Sequence, residues 1–377
     1  MMSTLLRYLK DPITHDLKDK MVFLGGPRQV GKTTFSQSLI PNYHEGHPAY
    51  LNWDSPVHRK IITAGTWPRN EKLIIFDEIH KFAKWRNLIK GYFDTLKGAH
   101  KFLVTGSARL DYYRKGGDSL LGRYFYFRMH PLSLPEIGKK ADLSNLLKYG
   151  GFPEPYIKQD ETFLKRWHLQ RRERIIYSDI RDLERIREIS LIELLVEALP
   201  DRVGSPLSRK NLAQDLDVDF KTVENWLTIL ENVYYCFRVS PYGQPRIRAV
   251  KKEQKLYLWD WSELDQEGAR WENFVASHLL KFCHYRQDTR GDKMELRFLR
   301  DVDRREIDFV VLKDKKPIFA VECKSGEKSA SPNLKYFSER TTIPRFYQVH
   351  RGKKSYSTAA NIRVLPFSEF CDVEGLV

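Results

Sequence analysis

The sequence predicts an α/β protein in three parts: an open, mostly parallel sheet, a helical middle part and a smaller C-terminal α/β part. Short apolar runs in the first third, such as Met21 to Leu24, end in glycine or polar residues, which is typical of buried parallel strands. A helical pattern dominates from about Pro135 to Ser240. Strand patterns return from Met294 onward, after one further helix. The predicted boundaries are residues 1–135, 136–245 and 246–377.

Composition favours a folded protein with a polyanionic partner. The 377 residues carry 64 Lys and Arg against 49 Asp and Glu, a net charge of +15. Phosphate backbones reward clustered Lys and Arg, which favours DNA, although acids in the same segments also allow a merely solvated face. No apolar run approaches the ~20 residues of a membrane span, and the N-terminus has no secretory pattern. The four cysteines lack metal-ligand spacing. We therefore expect a cytoplasmic protein with no membrane partner.

The first strand leads into a phosphate-binding loop. Gly26 to Thr33 fits the pattern GxxxxGK[ST], and a helical stretch follows directly. The glycines let backbone N–H groups turn towards phosphates, and the helix N-terminus adds its positive dipole end. Lys32 would reach the outer phosphates, and the Thr33 hydroxyl would bind Mg²⁺. The predicted ATP-binding residues are Gly26, Pro27, Arg28, Gln29, Val30, Gly31, Lys32, Thr33 and Thr34.

A second apolar run, from Lys72 to Phe76, ends in two acids. The carboxyl end of a strand in an open α/β sheet is where ligands bind. Asp77 would therefore hold Mg²⁺ through water, and Glu78 would act as general base on the attacking water. Two adjacent acids favour hydrolysis of ATP over binding alone.

Four further residues are candidates for contact with the γ-phosphate. Ser107, at the end of a third strand, is the first choice for a sensor and Thr105 the second; a capped turn is the alternative. Arg123 and Arg128 flank a fourth strand, and either could reach a neighbouring subunit's γ-phosphate in a homo-oligomer. The alternative for both is an ion-paired surface arginine.

The order of these motifs resembles a large set of prokaryotic AAA+ ATPases. The motifs are GGPRQVGKTT, IIFDE, VTGS, LLGR before a strand and HPLSLPE, then GGFPEP from Gly150, with Tyr50 to Asp54 similar to the family's second strand. The resemblance covers nearly the whole chain. It implies an ATPase domain, a winged-helix region and a C-terminal domain long described as of unknown function.

The middle part contains a helix-turn-helix pattern. Ser208 to Leu216 is typical of a capped amphipathic helix, and a second helix follows from Lys221 to Leu230, with a candidate wing strand after it. This winged helix is interpreted either as a bridge between domains or as a reader of DNA. A basic stretch, Phe163 to Ile189, is either a phosphate-contacting or subunit-contacting face or a solvated, ion-paired helix.

The C-terminal part predicts a metal-dependent site. Strands at Glu306 to Leu312 and Ile318 to Lys324 would place Asp308 and Glu322 on neighbouring strands, with Lys324 on the same face as Glu322. Two carboxylates can hold Mg²⁺, and a lysine can orient a water for attack on a phosphodiester. The pattern resembles the PD-(D/E)xK nuclease superfamily, with Ile307 in place of the proline. The resemblance implies Glu272, on the preceding helix, as a third acid that binds metal.

Together these features predict an ATPase, using ATP and Mg²⁺, whose nucleotide state controls a nuclease-like domain that acts on DNA. Two alternatives remain. The chain could be an ATP-driven switch whose C-terminal domain binds DNA or a partner protein without cutting. It could also be an interaction scaffold with no role on nucleic acid.

Overall fold

The computed structural model describes residues 7–96, 98–106, 120–138, 141–180, 189–243 and 253–377. The sensor candidate Ser107 lies outside these ranges. The described chain divides into two compact units. The first contains residues 7–130 together with Asn232–Tyr234, and the second contains the other described residues from Pro131 onward.

The first unit is built on a five-stranded sheet in which every neighbouring pair is parallel. The strand order is β2-β3-β4-β1-β5. All five residues of the first strand, which lies inside the sheet between β4 and β5, are buried, as an apolar run in a parallel sheet predicts. The strands are β1 Met21–Gly25, β2 Tyr50–Asn52, β3 Leu73–Asp77, β4 Lys101–Gly106 and β5 Tyr124–Arg128.

Helices connect these strands, and their ends follow local sequence signals. Helix Pro56–Ala64 begins after Ser55, whose hydroxyl accepts a hydrogen bond from the His58 N–H, and has proline at its first position. Because the strands run parallel, their carboxyl ends meet at one edge, where the phosphate-binding loop and the acids of β3 lie. The helices are α1 Lys10–Asp16, α2 Lys32–Gln37, α3 Pro56–Ala64 and α4 Trp85–Leu96.

The second unit is built on an eight-stranded mixed sheet of order β12-β13-β11-β10-β9-β8-β6-β7. Strand β6 pairs antiparallel with β7 and parallel with β8, so strands from the middle part and the C-terminal part share one sheet. The boundary predicted at 245 and 246 therefore falls inside one compact unit. The strands are β6 Cys236–Pro241, β7 Lys255–Leu258, β8 Met294–Arg300, β9 Glu306–Lys313, β10 Lys316–Cys323, β11 Phe346–His350, β12 Tyr356–Ala359 and β13 Ile362–Pro366.

Ten α-helices of the second unit are described, of which the longest, Glu267–Arg290, has eleven buried residues and contacts β7, β8, β9 and β10. It begins at the acid-rich side of the sheet and carries Glu272 in its second turn. The helices are α5 Leu134–Ile137, α6 Leu143–Tyr149, α7 Pro153–Lys158, α8 Glu161–Arg174, α9 Ile189–Ala198, α10 Arg209–Asp215, α11 Phe220–Asn232, α12 Glu267–Arg290, α13 Pro332–Ser338 and α14 Phe367–Glu374.

Helices α10 and α11 lie where the two helices of the helix-turn-helix pattern are predicted. The Ser208 hydroxyl accepts from the Asn211 N–H and caps the first helix. Glu224 on the second helix pairs with Arg209 at 2.8 Å and with Arg238 of β6 at 2.7 Å. These ion pairs join the two helices to the sheet, which favours a structural role for this element; recognition of DNA by it stays a prediction.

The basic stretch is not uniformly solvated. Arg171 of α8 is 2% exposed and pairs with the fully buried carboxylate of Glu263 at 2.7 Å. Its guanidinium also lies 4.5 Å from the centre of the Phe152 ring. This arginine therefore belongs to the core and is not a phosphate contact. Within the described residues, no helix combines the length and apolar character needed to cross a bilayer.

Candidate functional sites

The phosphate-binding loop connects β1 to α2 and is shaped for close approach to its backbone. Gly26 has φ +151°, and a Cβ at this position would lie 2.4 Å from the Met129 carbonyl oxygen. Only glycine fits there without a backbone shift. Lys32 is 6% exposed, and its Nζ donates to the carbonyl oxygens of Gly26 at 2.9 Å and Pro27 at 2.8 Å. These two hydrogen bonds therefore hold the ammonium group against the loop at which phosphates would bind.

Asp77, at the end of β3, lies directly across from the loop. Its side chain is almost fully buried, and the Thr33 hydroxyl donates to its Oδ2 at 2.9 Å. Two more hydroxyls complete the shell: Tyr50 of β2 donates to Oδ2, and Thr105 of β4 donates to Oδ1. Burial and the neighbouring Asp77 carboxylate raise the pKa of Tyr50, so this phenol stays a donor. The predicted partners Thr33 and Asp77 are thus in contact.

Glu78 directly follows β3, the position expected of a general base. Its backbone adopts a left-handed φ of 56°, which is uncommon outside glycine and is typical of functional sites. The Glu78 N–H donates to the Thr105 carbonyl at 3.0 Å. Its carboxylate lies 3.7 Å from both His80 Nε2 and Lys81 Nζ. Burial raises the pKa of Glu78 above that of an ordinary glutamate, although the Lys32 ammonium group opposes the shift.

The three remaining candidates of the ATPase site have different surroundings. Thr105, the second choice for the sensor, is buried and bound to Asp77. Arg123 pairs with Asp94 of its own chain, with Nε 2.8 Å from Oδ1. Arg128 has a half-buried side chain, and its carbonyl accepts from the Tyr8 hydroxyl at 2.7 Å. A role in trans for either arginine stays a prediction.

The second unit holds a cluster of acids and lysines at the adjacent ends of β9 and β10. Asp308 and Glu322 come next to the paired residues Phe309 and Val321 of these antiparallel strands. Asp308 Oδ2 accepts from the Cys323 N–H at 2.7 Å. The structure therefore brings the two predicted carboxylates onto facing positions of neighbouring strands.

Glu322 is the most telling group of this cluster. Its side chain is 6% exposed, and Oε1 accepts from Lys324 Nζ at 2.7 Å. The other oxygen, Oε2, is buried without a hydrogen-bond partner. Burial and the neighbouring Asp308 carboxylate raise the pKa of Glu322 to about 7. A buried carboxylate oxygen without a hydrogen-bond donor needs another partner, and a cation can be that partner.

The contacts of Glu272 differ from those expected of the predicted metal ligand. Its Oε1 accepts from the Tyr257 hydroxyl at 2.7 Å and from Lys255 Nζ at 3.2 Å. Lys255, which is 1% exposed, also donates to Glu306. Across the described chain, no three His, Cys, Asp or Glu side chains are grouped closely enough to hold a metal ion. The set of Glu272, Asp308 and Glu322 is therefore not gathered as three ligands.

Sequence reasoning missed Tyr50, Lys255 and Tyr257. A signal existed for the last two, because they alternate on one face of the apolar run Lys255 to Trp259. A lysine in such a buried run requires an acidic partner. Tyr50 gave no comparable signal, since its contact with Asp77 depends on the order of β2 and β3 in the sheet.

The glycine-lined loop, the buried lysine and the acid-ended strand on a parallel sheet define a P-loop nucleotide-binding unit. Residues 18–138 match a family model described as an AAA domain, which indicates an AAA-type ATPase. Residues 140–264 and 267–370 match two models, each described as a domain of unknown function.

Three relatives are similar in sequence over much of their length. An uncharacterized protein of Methanocaldococcus jannaschii is 22% identical over 361 residues, which cover 86% of this chain and 79% of that protein. Uncharacterized proteins of Mycobacterium bovis and Mycobacterium tuberculosis are each 22% identical over 276 residues, which cover 69% of this chain and 62% of theirs. Similarity of this kind extends beyond the AAA domain but brings no activity with it.

Proposed function

We propose that this chain hydrolyses ATP with Mg²⁺ at the P-loop and that its nucleotide state controls a metal-dependent, nuclease-like site acting on DNA. The observation that carries the first half is the contact between Thr33 and Asp77 beside the buried Lys32. This arrangement places a hydroxyl, a carboxylate and an ammonium group around one loop. A nucleoside triphosphate with its divalent cation complements these groups, because its phosphates are anionic like the partners that an ammonium group binds and its cation binds carboxylate and hydroxyl oxygens.

Each residue of the P-loop unit has a distinct task in this proposal. Backbone N–H groups of the loop and the start of α2 bind the phosphates, and Lys32 moves from the Gly26 and Pro27 carbonyls to the outer phosphates. Asp77 and Thr33 would hold the Mg²⁺ ion, which would neutralise charge on the phosphates. Glu78 accepts the proton of the attacking water, a task suited to its raised pKa.

The second half rests on the unpartnered Glu322 Oε2 next to Asp308 and Lys324. These groups fit a divalent cation, because hard cations take carboxylate oxygens. Such an ion would polarise a phosphodiester and lower the pKa of a bound water. Lys324 would position that water, since its ammonium group already lies 2.7 Å from Glu322. DNA is the partner that the net charge of +15 favours.

ATP turnover tests the first half directly. Lys32→Ala and Glu78→Gln should each lower turnover by at least about 100-fold, because they remove transition-state charge stabilisation and the base. Lys60→Ala, an exposed lysine of α3, is the matched control and should retain full turnover. Equal turnover rates in wild type and in all three variants would refute the ATPase proposal.

The finger candidates are separated by mixing two inactive variants. If Arg123 acts in a neighbouring copy, Lys32→Ala chains mixed with Arg123→Ala chains should recover part of the turnover, since mixed interfaces join one intact loop to one intact arginine. The same mixture with Arg128→Ala tests the competitor. Recovery with neither arginine would show that no finger from these two positions acts in trans.

DNA cleavage tests the second half. DNA incubated with the chain and Mg²⁺ or Mn²⁺ should be cut, and Asp308→Ala and Lys324→Ala should abolish cutting. Lys328→Ala changes an exposed lysine four residues further on and should cut normally. Cutting that persists in Asp308→Ala would trace the activity to another agent.

One observation favours the rival function, in which the C-terminal site binds DNA or a partner protein without cutting. The third acid is engaged by Lys255 and Tyr257, so it is not presented as a ligand. DNA binding that weakens steeply with salt, together with no cleavage under either metal, would support this switch.

A further inference from the structure

We infer that the cluster of acids and lysines at the adjacent ends of β9 and β10, here called the C-terminal pocket, takes one divalent cation, held by Asp308 and Glu322. We further infer that the ammonium group of Lys255 occupies the place of a second cation. The inference rests on the proposed metal-dependent function and specifies how many ions it uses. It also reassigns Glu272 from metal ligand to partner of a resident lysine.

On the side of the pocket near Glu322, carboxylate oxygens retain the capacity to bind a cation. Glu322 Oε2 is buried and unpartnered, whereas its other oxygen is bound to Lys324. Asp308 has one oxygen fixed by the Cys323 N–H at 2.7 Å. Fixing one oxygen orients the carboxylate towards Glu322 across the strand pair without using its full acceptor capacity.

The side near Glu272 is already filled. Its Oε1 accepts from both Tyr257 and Lys255. Gly204 covers the same carboxylate: a Cβ added at that glycine, which has φ +77°, would lie 3.2 Å from both oxygens. Lys255 Nζ, itself 1% exposed, also donates to Glu306, so it bridges two carboxylates as a second metal ion would.

Charge balance points the same way. Four carboxylates, those of Glu272, Glu306, Asp308 and Glu322, share the pocket with the ammonium groups of Lys255 and Lys324. Arg300 lies 3.7 Å from the second oxygen of Glu306. The four negative charges of the carboxylates and the two positive charges of the ammonium groups leave a net charge of −2, which one divalent cation neutralises. A second cation would leave a positive excess in a largely buried site, which is costly, and the nearby Arg300 would add to that excess.

Calorimetric titration of Mn²⁺ into the full chain without nucleotide tests the inference with two isosteric changes. Wild type should bind one Mn²⁺ in this pocket. Glu322→Gln should weaken that binding by at least about 100-fold, because a ligand is lost, whereas Glu272→Gln should weaken it by less than about 10-fold and keep the stoichiometry of one. Asp77→Asn is measured in parallel, so that any Mn²⁺ held at the P-loop is subtracted.

Lys255→Met provides the second measurement. Removing the ammonium group frees Glu272 and Glu306, and we expect a second Mn²⁺ to bind per chain. If this variant does not fold, the two glutamine variants still decide the matter. Equal loss of binding in Glu272→Gln and Glu322→Gln, or two pocket ions in wild type, would overturn the inference and leave the metal-dependent function intact. No pocket ion in wild type would remove both.

Discussion

Replacing Thr105 by valine tests whether the β4 hydroxyl holds Asp77 and Glu78, the acids of the proposed ATPase site, in place. Thr105 is fully buried and contacts both acids of β3: its hydroxyl donates to Asp77 Oδ1, and its carbonyl accepts from the Glu78 N–H at 3.0 Å. Valine keeps the shape and the carbonyl but removes the hydroxyl. Asp77 would keep its bonds to Thr33 and Tyr50 and lose the one on its other oxygen.

The size of the effect follows from the charge on the acceptor. A hydrogen bond to a charged group contributes about 1.5–3 kcal/mol. If that energy is lost from the transition state, turnover falls roughly 10- to 100-fold, since each ~1.4 kcal/mol is a factor of ten. The fall should be smaller than for Glu78→Gln, because Glu78, the proposed base, remains.

The assay is steady-state ATP turnover over a range of Mg²⁺ concentrations, with thermal unfolding of each variant measured alongside. Thr105→Ser keeps the hydroxyl and should stay within about threefold of wild type, well below the loss expected for valine. Turnover in Thr105→Val within a factor of two of wild type would refute the reasoning. So would an equal loss in the serine variant, which would point to the methyl group and not the hydroxyl.

Three further outcomes follow from buried polar groups. Lys281→Met should lower the free energy of unfolding by about 3–5 kcal/mol, because Glu136 is 1% exposed and would lose its ion pair, whereas the double change with Glu136→Leu should recover most of that loss in urea denaturation. Burial lowers the pKa of His278 to about 3, so wild type should lose stability as pH falls from about 6.5 towards 3, and His278→Gln should show a shallower slope. Tyr50→Phe should raise the Mg²⁺ concentration needed for half-maximal ATP turnover, because Asp77 loses one orienting donor; an unchanged Mg²⁺ dependence would contradict this.

Most elements of the C-terminal part could be predicted because its signals are local. The predicted strands Glu306 to Leu312 and Ile318 to Lys324 agree with β9 and β10 to within one or two residues at their ends. The alternation of apolar residues and the turn at Asp314 are readable without knowing the fold. The same holds for the P-loop, whose spacing is itself the constraint.

What the sequence did not predict depends on distant partners. The pairing of β6 with β8 joins residues about 57 positions apart, for example Ser240 with Arg297, so no local pattern reports it. Likewise, the engagement of Glu272 depends on Lys255 of β7, which lies 17 positions away in the chain. An acid at the right place in a motif does not reveal which cation it faces.

The shared eight-stranded sheet limits how this protein can be divided for experiments. A fragment starting at residue 246 would lack β6, leaving the edge of β8 with unpaired backbone groups and β7 without its antiparallel neighbour. Such an exposed edge invites aggregation, so poor behaviour of that fragment would say nothing about the site it carries. Chimeras that exchange the C-terminal region between relatives should therefore cross over near Pro131, and keep Lys255 and Glu272 from the same parent.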